Sequence, residues 1–185
     1  MATLRLFFAC PLPDTLLPAL QAIQAHLRRS GARGRWTGPA GWHLTLLFLG
    51  ATRSDRMPDL LAAGAEASEA GPPGPMRILR LTAFPSPRRP RVVVAELDDP
   101  GGRMARMRDL LKRRLEVLDA RAFRPHVTLL RVLEPEPIRL PTPRLAPSFR
   151  PDRLILYQSL LGPGGARYEP LAAWPLSPRP DAPDG

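Results

Sequence analysis

The chain has 185 residues, 44% of them hydrophobic, enough to bury a core of single-domain size. Its formal net charge is +10, and Lys112 is the only lysine among 27 Lys and Arg residues. An arginine-rich surface favours polyanionic partners such as RNA, although a biased use of Arg, Ala, Pro and Gly would raise the charge by itself. No apolar run approaches the roughly 20 residues of a bilayer span, so no membrane partner is expected. The sole cysteine, Cys10, excludes an internal disulfide framework and fits a reducing cytoplasm.

The opening TLRLFFAC reads as a buried strand. Its apolar run is too short for a signal peptide and is interrupted early by Pro11 and Asp14. Asp14 is placed to cap a helix whose Leu16, Leu20, Ile23 and Leu27 share one face. Pro18 falls in its first turn and Gly31 ends it. ARGRWTGPAG reads as a loop, and WHLTLLFLG as a strand. A second helix covers Asp55 to Ala70, and MRILRLTAF is a strand. PSPRRP is a basic turn, followed by the β-branched strand RVVVAEL. A basic helix comes next, with Met104, Met107, Leu111, Leu115 and Leu118 as its apolar stripe. HVTLLRV is a strand, and DRLILYQSLL and ARYEPLAAW form a hairpin around GPGG. The expected organisation is one bilobal domain over 1–176 and a loose Pro-rich tail over 177–185.

The order strand, helix, loop, strand occurs twice. It runs from Arg5 to His43 and, at comparable spacing, from Val92 to His126, as an internal duplication would produce. Each copy ends on a histidine and a threonine two residues apart. Residues two apart share a strand face, so His43 and Thr45 project together, with Leu44, Leu46 and Phe48 turned the other way. His126 and Thr128 repeat this against Val127 and Leu129. If the two lobes face each other, two imidazoles and two hydroxyls meet in one pocket.

That set suits acid–base chemistry at phosphorus. Imidazole exists in both protonation states near neutral pH, so one histidine can accept a proton from water while the other donates to the departing oxygen. Threonine hydroxyls can donate to non-bridging phosphoryl oxygens. One His on an apolar strand is more often structural than catalytic; two in matching contexts favour catalysis. His26, the third histidine, lies on the helix off the apolar stripe and is assigned to surface or packing. Zinc catalysis calls for three compactly spaced ligands, and there is no His-x-His, Cys-x-x-Cys or His-Glu-x-x-His. No metal or other cofactor is expected. GPGG lacks the lysine and helix of a P-loop.

On these motifs the chain resembles the two-histidine (2H) phosphoesterase superfamily, and more closely its RNA 2′,3′-cyclic phosphodiesterases, historically called 2′-5′ RNA ligases. The resemblance extends over RLFFACPLP, RWTGPAGWHLTLLFLG, SPRRPRVVVAEL, FRPHVTLLR and YQSLLGPGGARYEPLAAWPL. It implies an α+β, bilobal, duplicated fold, with two antiparallel sheets around a central cleft and helices on the outside. It implies metal-independent hydrolysis of RNA 2′,3′-cyclic phosphate ends to 2′-phosphomonoesters, by a monomer with no obligate protein partner. His43 matches the proton donor and His126 the proton acceptor, while Thr45, Thr128 and Arg131 match phosphate-binding positions. Arg131 lies five residues after His126, so it reaches the cleft only if the strand twists, bulges or ends by Leu130. Relatives often carry a polar residue just before the first histidine. Here it is Trp42, whose indole can stack on a base or cover the core. The same site would serve a ligase joining a cyclic phosphate end to a 5′-hydroxyl. A non-enzymatic RNA-binding protein and a small-nucleotide enzyme acting on cyclic ADP-ribose phosphates are the other readings.

Overall fold

A computed structural model describes residues 2–71, 73–142, 147–162 and 165–176. The segment 177–185, expected as a tail, lies outside the described residues. The elements run β1 (Thr3–Pro11), α1 (Leu17–Arg29), β2 (Gly34–Trp36), β3 (His43–Arg53), α2 (Met57–Ser68), β4 (Ile78–Ser86), β5 (Arg89–Leu97), α3 (Arg103–Leu115), β6 (His126–Val132), β7 (Arg153–Gly162) and β8 (Gly165–Pro175). They form two four-stranded antiparallel sheets, ordered β3-β1-β7-β8 and β2-β6-β5-β4. The fold is α+β, as expected.

The repeated unit is visible as β1-α1-β3 and β5-α3-β6. Each unit contributes an antiparallel strand pair, in which Pro11 faces His43 and Glu96 faces His126. Helix α2 packs on α3 and against β7 and β8, and α3 also packs on β3. Apolar side chains from both sheets and all three helices join in one core, Leu20, Leu44, Leu60, Leu111, Val127 and Leu154 among them. The fit is tight where α2 crosses β8: a Cβ on Gly64 would meet the Trp174 ring at 2.4 Å.

Several expectations are corrected. Asp14 makes no side-chain cap; it sits in a short 3-10 turn (Asp14–Leu16) that leads into α1. The stretch read as a loop contains β2, which leaves the first repeat and pairs with the outer edge of β6. So short a strand carries no alternating pattern of its own, and its partner is remote in sequence. Helix α3 ends at Leu115 because Glu116 turns left-handed, with φ 56°. Leu118 is therefore off the stripe and fully exposed, while Met104, Met107, Leu111 and Leu115 are buried.

Candidate active site

The two histidine strands share a burial pattern residue by residue. From His43 to Phe48 and from His126 to Arg131 it runs half-buried, buried, half-buried, buried, buried, exposed. The two consecutive buried residues mark a β-bulge in each strand. On β3 the register steps from Ala9↔Thr45 to Phe8↔Leu47, leaving Leu46 unpaired. On β6 it steps from Val94↔Thr128 to Val93↔Leu130, leaving Leu129 unpaired. One extra residue reverses the facing of everything beyond it. Arg131 consequently shares the face of His126 and Thr128, meeting the condition strand geometry set for it. Phe48, expected to turn away, instead shares the face of His43 and Thr45, and is 46% exposed.

The β6 bulge has its own support. A bulged residue loses its ladder partner, and the Leu129 carbonyl is satisfied twice over. The Thr37 amide donates to it at 3.0 Å and the Gln24 side-chain amide at 2.8 Å. Gln24 is 8% exposed and also donates to the Thr37 carbonyl at 2.8 Å. A buried polar residue on α1 thus fixes the backbone that aims Arg131.

His43, Thr45, His126, Thr128 and Arg131 all line one cleft of about 590 Å³ between the sheets. His43 lies 5.0 Å, centroid to centroid, from both Phe7 and Tyr168. Burial pushes its pKa down to about 4; the Gly41 carbonyl opposes this, and His126 and Arg131 add to the lowering. His126 is also lowered, chiefly by burial. Its Nδ1 lies 2.6 Å from the Arg124 carbonyl. A carbonyl only accepts, so Nδ1 carries the proton and Nε2 keeps its lone pair. With no substrate bound, both rings are neutral at pH 7.

Behind His126 stands an ion network. Glu96, opposite it in register and 6% exposed, receives two hydrogen bonds from Arg124 at 2.9 and 3.1 Å and one from Arg80 at 2.6 Å. These hydrogen bonds, the one from Arg124 foremost, hold its carboxyl below the usual range against the opposing effect of burial, and the positive charges add to them. The Arg124 guanidinium also lies 4.5 Å from the Phe84 centroid, and Phe84 packs edge-on to His126 at 5.2 Å.

Trp42 is 4% exposed and belongs to the core. Its place is that of the core-covering indole, and it is not among the residues lining the cleft. Arg5, Arg35, Phe48, Ser159, Arg167 and Tyr168 do line the cleft and were not anticipated from sequence. They come from five different strands, so no local motif groups them. Among the described residues, no carboxylate lines the cleft, and no group of three His, Cys, Asp or Glu side chains could hold a metal ion. His26 is on the exposed face of α1, and among the described residues no helix is long and apolar enough to cross a membrane.

Comparison with known proteins agrees with this architecture. Residues 11–94 match the family described as LigT like Phosphoesterase. An RNA 2′,3′-cyclic phosphodiesterase of Thermus thermophilus is 32% identical over 183 residues, covering 94% of this chain and 90% of that protein. One from Geobacillus stearothermophilus is 26% identical, covering 97% of this chain and 59% of its own length. Among solved structures, TT0787 of Thermus thermophilus superposes with a TM-score of 0.81 at 32% identity, covering 93% of this chain and 97% of that one. E. coli LigT complexed with NADP+ does so at 0.78 and 28% identity, covering 95% and 99%. With two duplicated His-x-Thr strands facing one cleft and relatives matched over nearly the whole chain, the protein belongs to the LigT-like phosphoesterase family and is a phosphoesterase.

Proposed function

We propose that the enzyme hydrolyses RNA ends carrying a 2′,3′-cyclic phosphate to 2′-phosphomonoesters, using two histidines and no metal. The observation that carries this reading is the placement of His43–Thr45 and His126–Thr128 in equivalent register, on strands lining one cleft with arginines and no described carboxylate. The names of the Thermus and Geobacillus relatives support the substrate. So does a solved complex of E. coli LigT with 3′-AMP.

In-line displacement requires the nucleophile and leaving oxygen on opposite sides of phosphorus. His126 Nε2 accepts a proton as water attacks, and the new P–O bond forms as the P–O3′ bond breaks. His43 gives its proton to the 3′ oxygen. Thr45 and Thr128 donate to the non-bridging oxygens, and neither hydroxyl has a protein hydrogen bond among the described residues. Arg131 adds positive charge on the same face. His43 is neutral in the empty cleft, so the proton it donates arrives with the substrate, whose negative charge favours the imidazolium.

The enzyme is read as a monomer in the cytoplasm. Its one cysteine, Cys10, is buried with its thiol pushed up by desolvation, which leaves it free of disulfide chemistry. The direct test is to incubate an oligonucleotide ending in 2′,3′-cyclic phosphate with the enzyme in EDTA and resolve the product by phosphorus NMR. A 2′-phosphate is expected. A 3′-phosphate would reverse the assignment of the leaving oxygen, a product joined to a 5′-hydroxyl strand would make it a ligase, and activity only after metal addition would remove the metal-free mechanism.

A further inference from the structure

Arg35 and Arg131 are direct cross-strand partners on β2 and β6, and both line the cleft. Opposed residues of an antiparallel pair have Cβ atoms about 4.5–5.5 Å apart, and like charges in that position repel. Neither guanidinium has an ion pair among the described residues. The other two cleft arginines differ: Arg167 is paired with Glu169, and Arg5 lies over the Phe48 ring. The backbone holds the two positions close together. A Cβ on Gly34 would stand 2.3 Å from the Arg131 carbonyl oxygen, so glycine is what lets β2 dock there. Two cross-strand arginines without ion pairs can bracket an anion between them, and Arg suits phosphate oxygens.

Arg35 is offset from the His-Thr centre, while Arg131 is close enough to act on His43. Arg131 is three residues past Thr128 with one of them taken up by the bulge, so Arg35 stands about 7–10 Å farther along the strand. No residue of β2 pairs with Thr128 or His126. We propose that Arg35 and Arg131 form a second anion subsite. It takes the backbone phosphodiester one nucleotide upstream of the reacting phosphate, which makes the enzyme selective for oligonucleotide ends over cyclic mononucleotides. This rests on the phosphodiesterase reading for the identity of the ligand.

The test uses Arg35→Ala and Arg35→Lys, checked for an unchanged thermal midpoint, and two probes read by titration calorimetry: adenosine 2′-monophosphate and the dinucleotide ApA 2′-phosphate. Wild type should bind the dinucleotide at least tenfold more tightly. Arg35→Ala should lose about tenfold on the dinucleotide, consistent with one charge-assisted hydrogen bond, and change less than twofold on the mononucleotide. Arg35→Lys should fall between. Replacing the internal linkage with an uncharged methylphosphonate should abolish the difference between wild type and Arg35→Ala. Equal losses on both probes, no loss on either, or a loss that persists with methylphosphonate would overturn the subsite. Turnover of the cyclic forms is scored separately: if the binding contrast holds with no hydrolysis, the subsite stands and the phosphodiesterase reading falls.

Discussion

The side-chain amide of Gln24 donates to the carbonyl of Leu129, 105 residues away, at 2.8 Å. Through that bond a helix of the first repeat holds the bulge of the second, and the bulge turns Arg131 into the cleft. Gln24→Leu should cost about 1–3 kcal/mol, the range for leaving a buried polar group unsatisfied, measured by urea denaturation. It should also raise KM more than it lowers kcat, because Arg131 loses its aim. An unchanged KM at reduced stability would confine Gln24 to folding.

Removing either imidazole should cut turnover by about 10²–10⁴-fold, the range for one general acid or base. His43→Ala and His126→Ala should both retain a cooperative unfolding transition. The double variant should be far less impaired than the product of the two, since both act in one step. Wild-type kcat from either single variant would remove that histidine from the chemistry.

The pH dependence follows from the burial of both rings. In the proposed mechanism the reacting state has His43 protonated and His126 neutral, while in the empty cleft His43 holds a proton only near pH 4. The kcat/KM profile should be a bell centred on the acid side of 6.5, falling about tenfold per pH unit at higher pH. A plateau extending above pH 7 would contradict it. Stability runs the other way. The folded pKa lies below the unfolded one, so between about 4 and 6.5 the unfolded chain binds more protons, and stability falls as pH drops through that window. The linked loss is roughly 3 kcal/mol. In His43→Gln the acid-side fall should shrink, as read by the denaturation midpoint at pH 4.5 and 7.

Glu96 acts through its neighbours. Glu96→Gln weakens the grip on Arg124, whose carbonyl orients His126, and removes a charge that raises the His126 pKa. A fall in kcat of about tenfold is expected, with the alkaline limb of the profile shifted to lower pH. A change in stability alone, with the limb unmoved, would make Glu96 structural.

Much of this site is legible in sequence, because its key residues lie on strands whose period is short and regular. His43, Thr45, His126 and Thr128 follow from alternation alone. Phe48 and Arg131 did not, since alternation fails at a bulge. The signal was present as Thr-Leu-Leu in both strands, where two adjacent apolar residues break the period. Arg35 and Glu96 were invisible for another reason: β2 is three residues long, and the register that sets Glu96 opposite His126 is a tertiary fact.

The paired bulges leave equivalent positions occupied by an aromatic ring and a cation, Phe48 in one repeat and Arg131 in the other. A cleft built from two like halves has a near-twofold axis, and a ligand could enter it either way round. A nucleotide end is itself lopsided, with a flat base on one side and a charged backbone on the other. This mismatch between the halves gives the cleft a polarity, with the Arg131 side the one suited to a charged backbone. If the ligand is a cyclic phosphate end, that polarity decides which of its two ester oxygens faces which histidine.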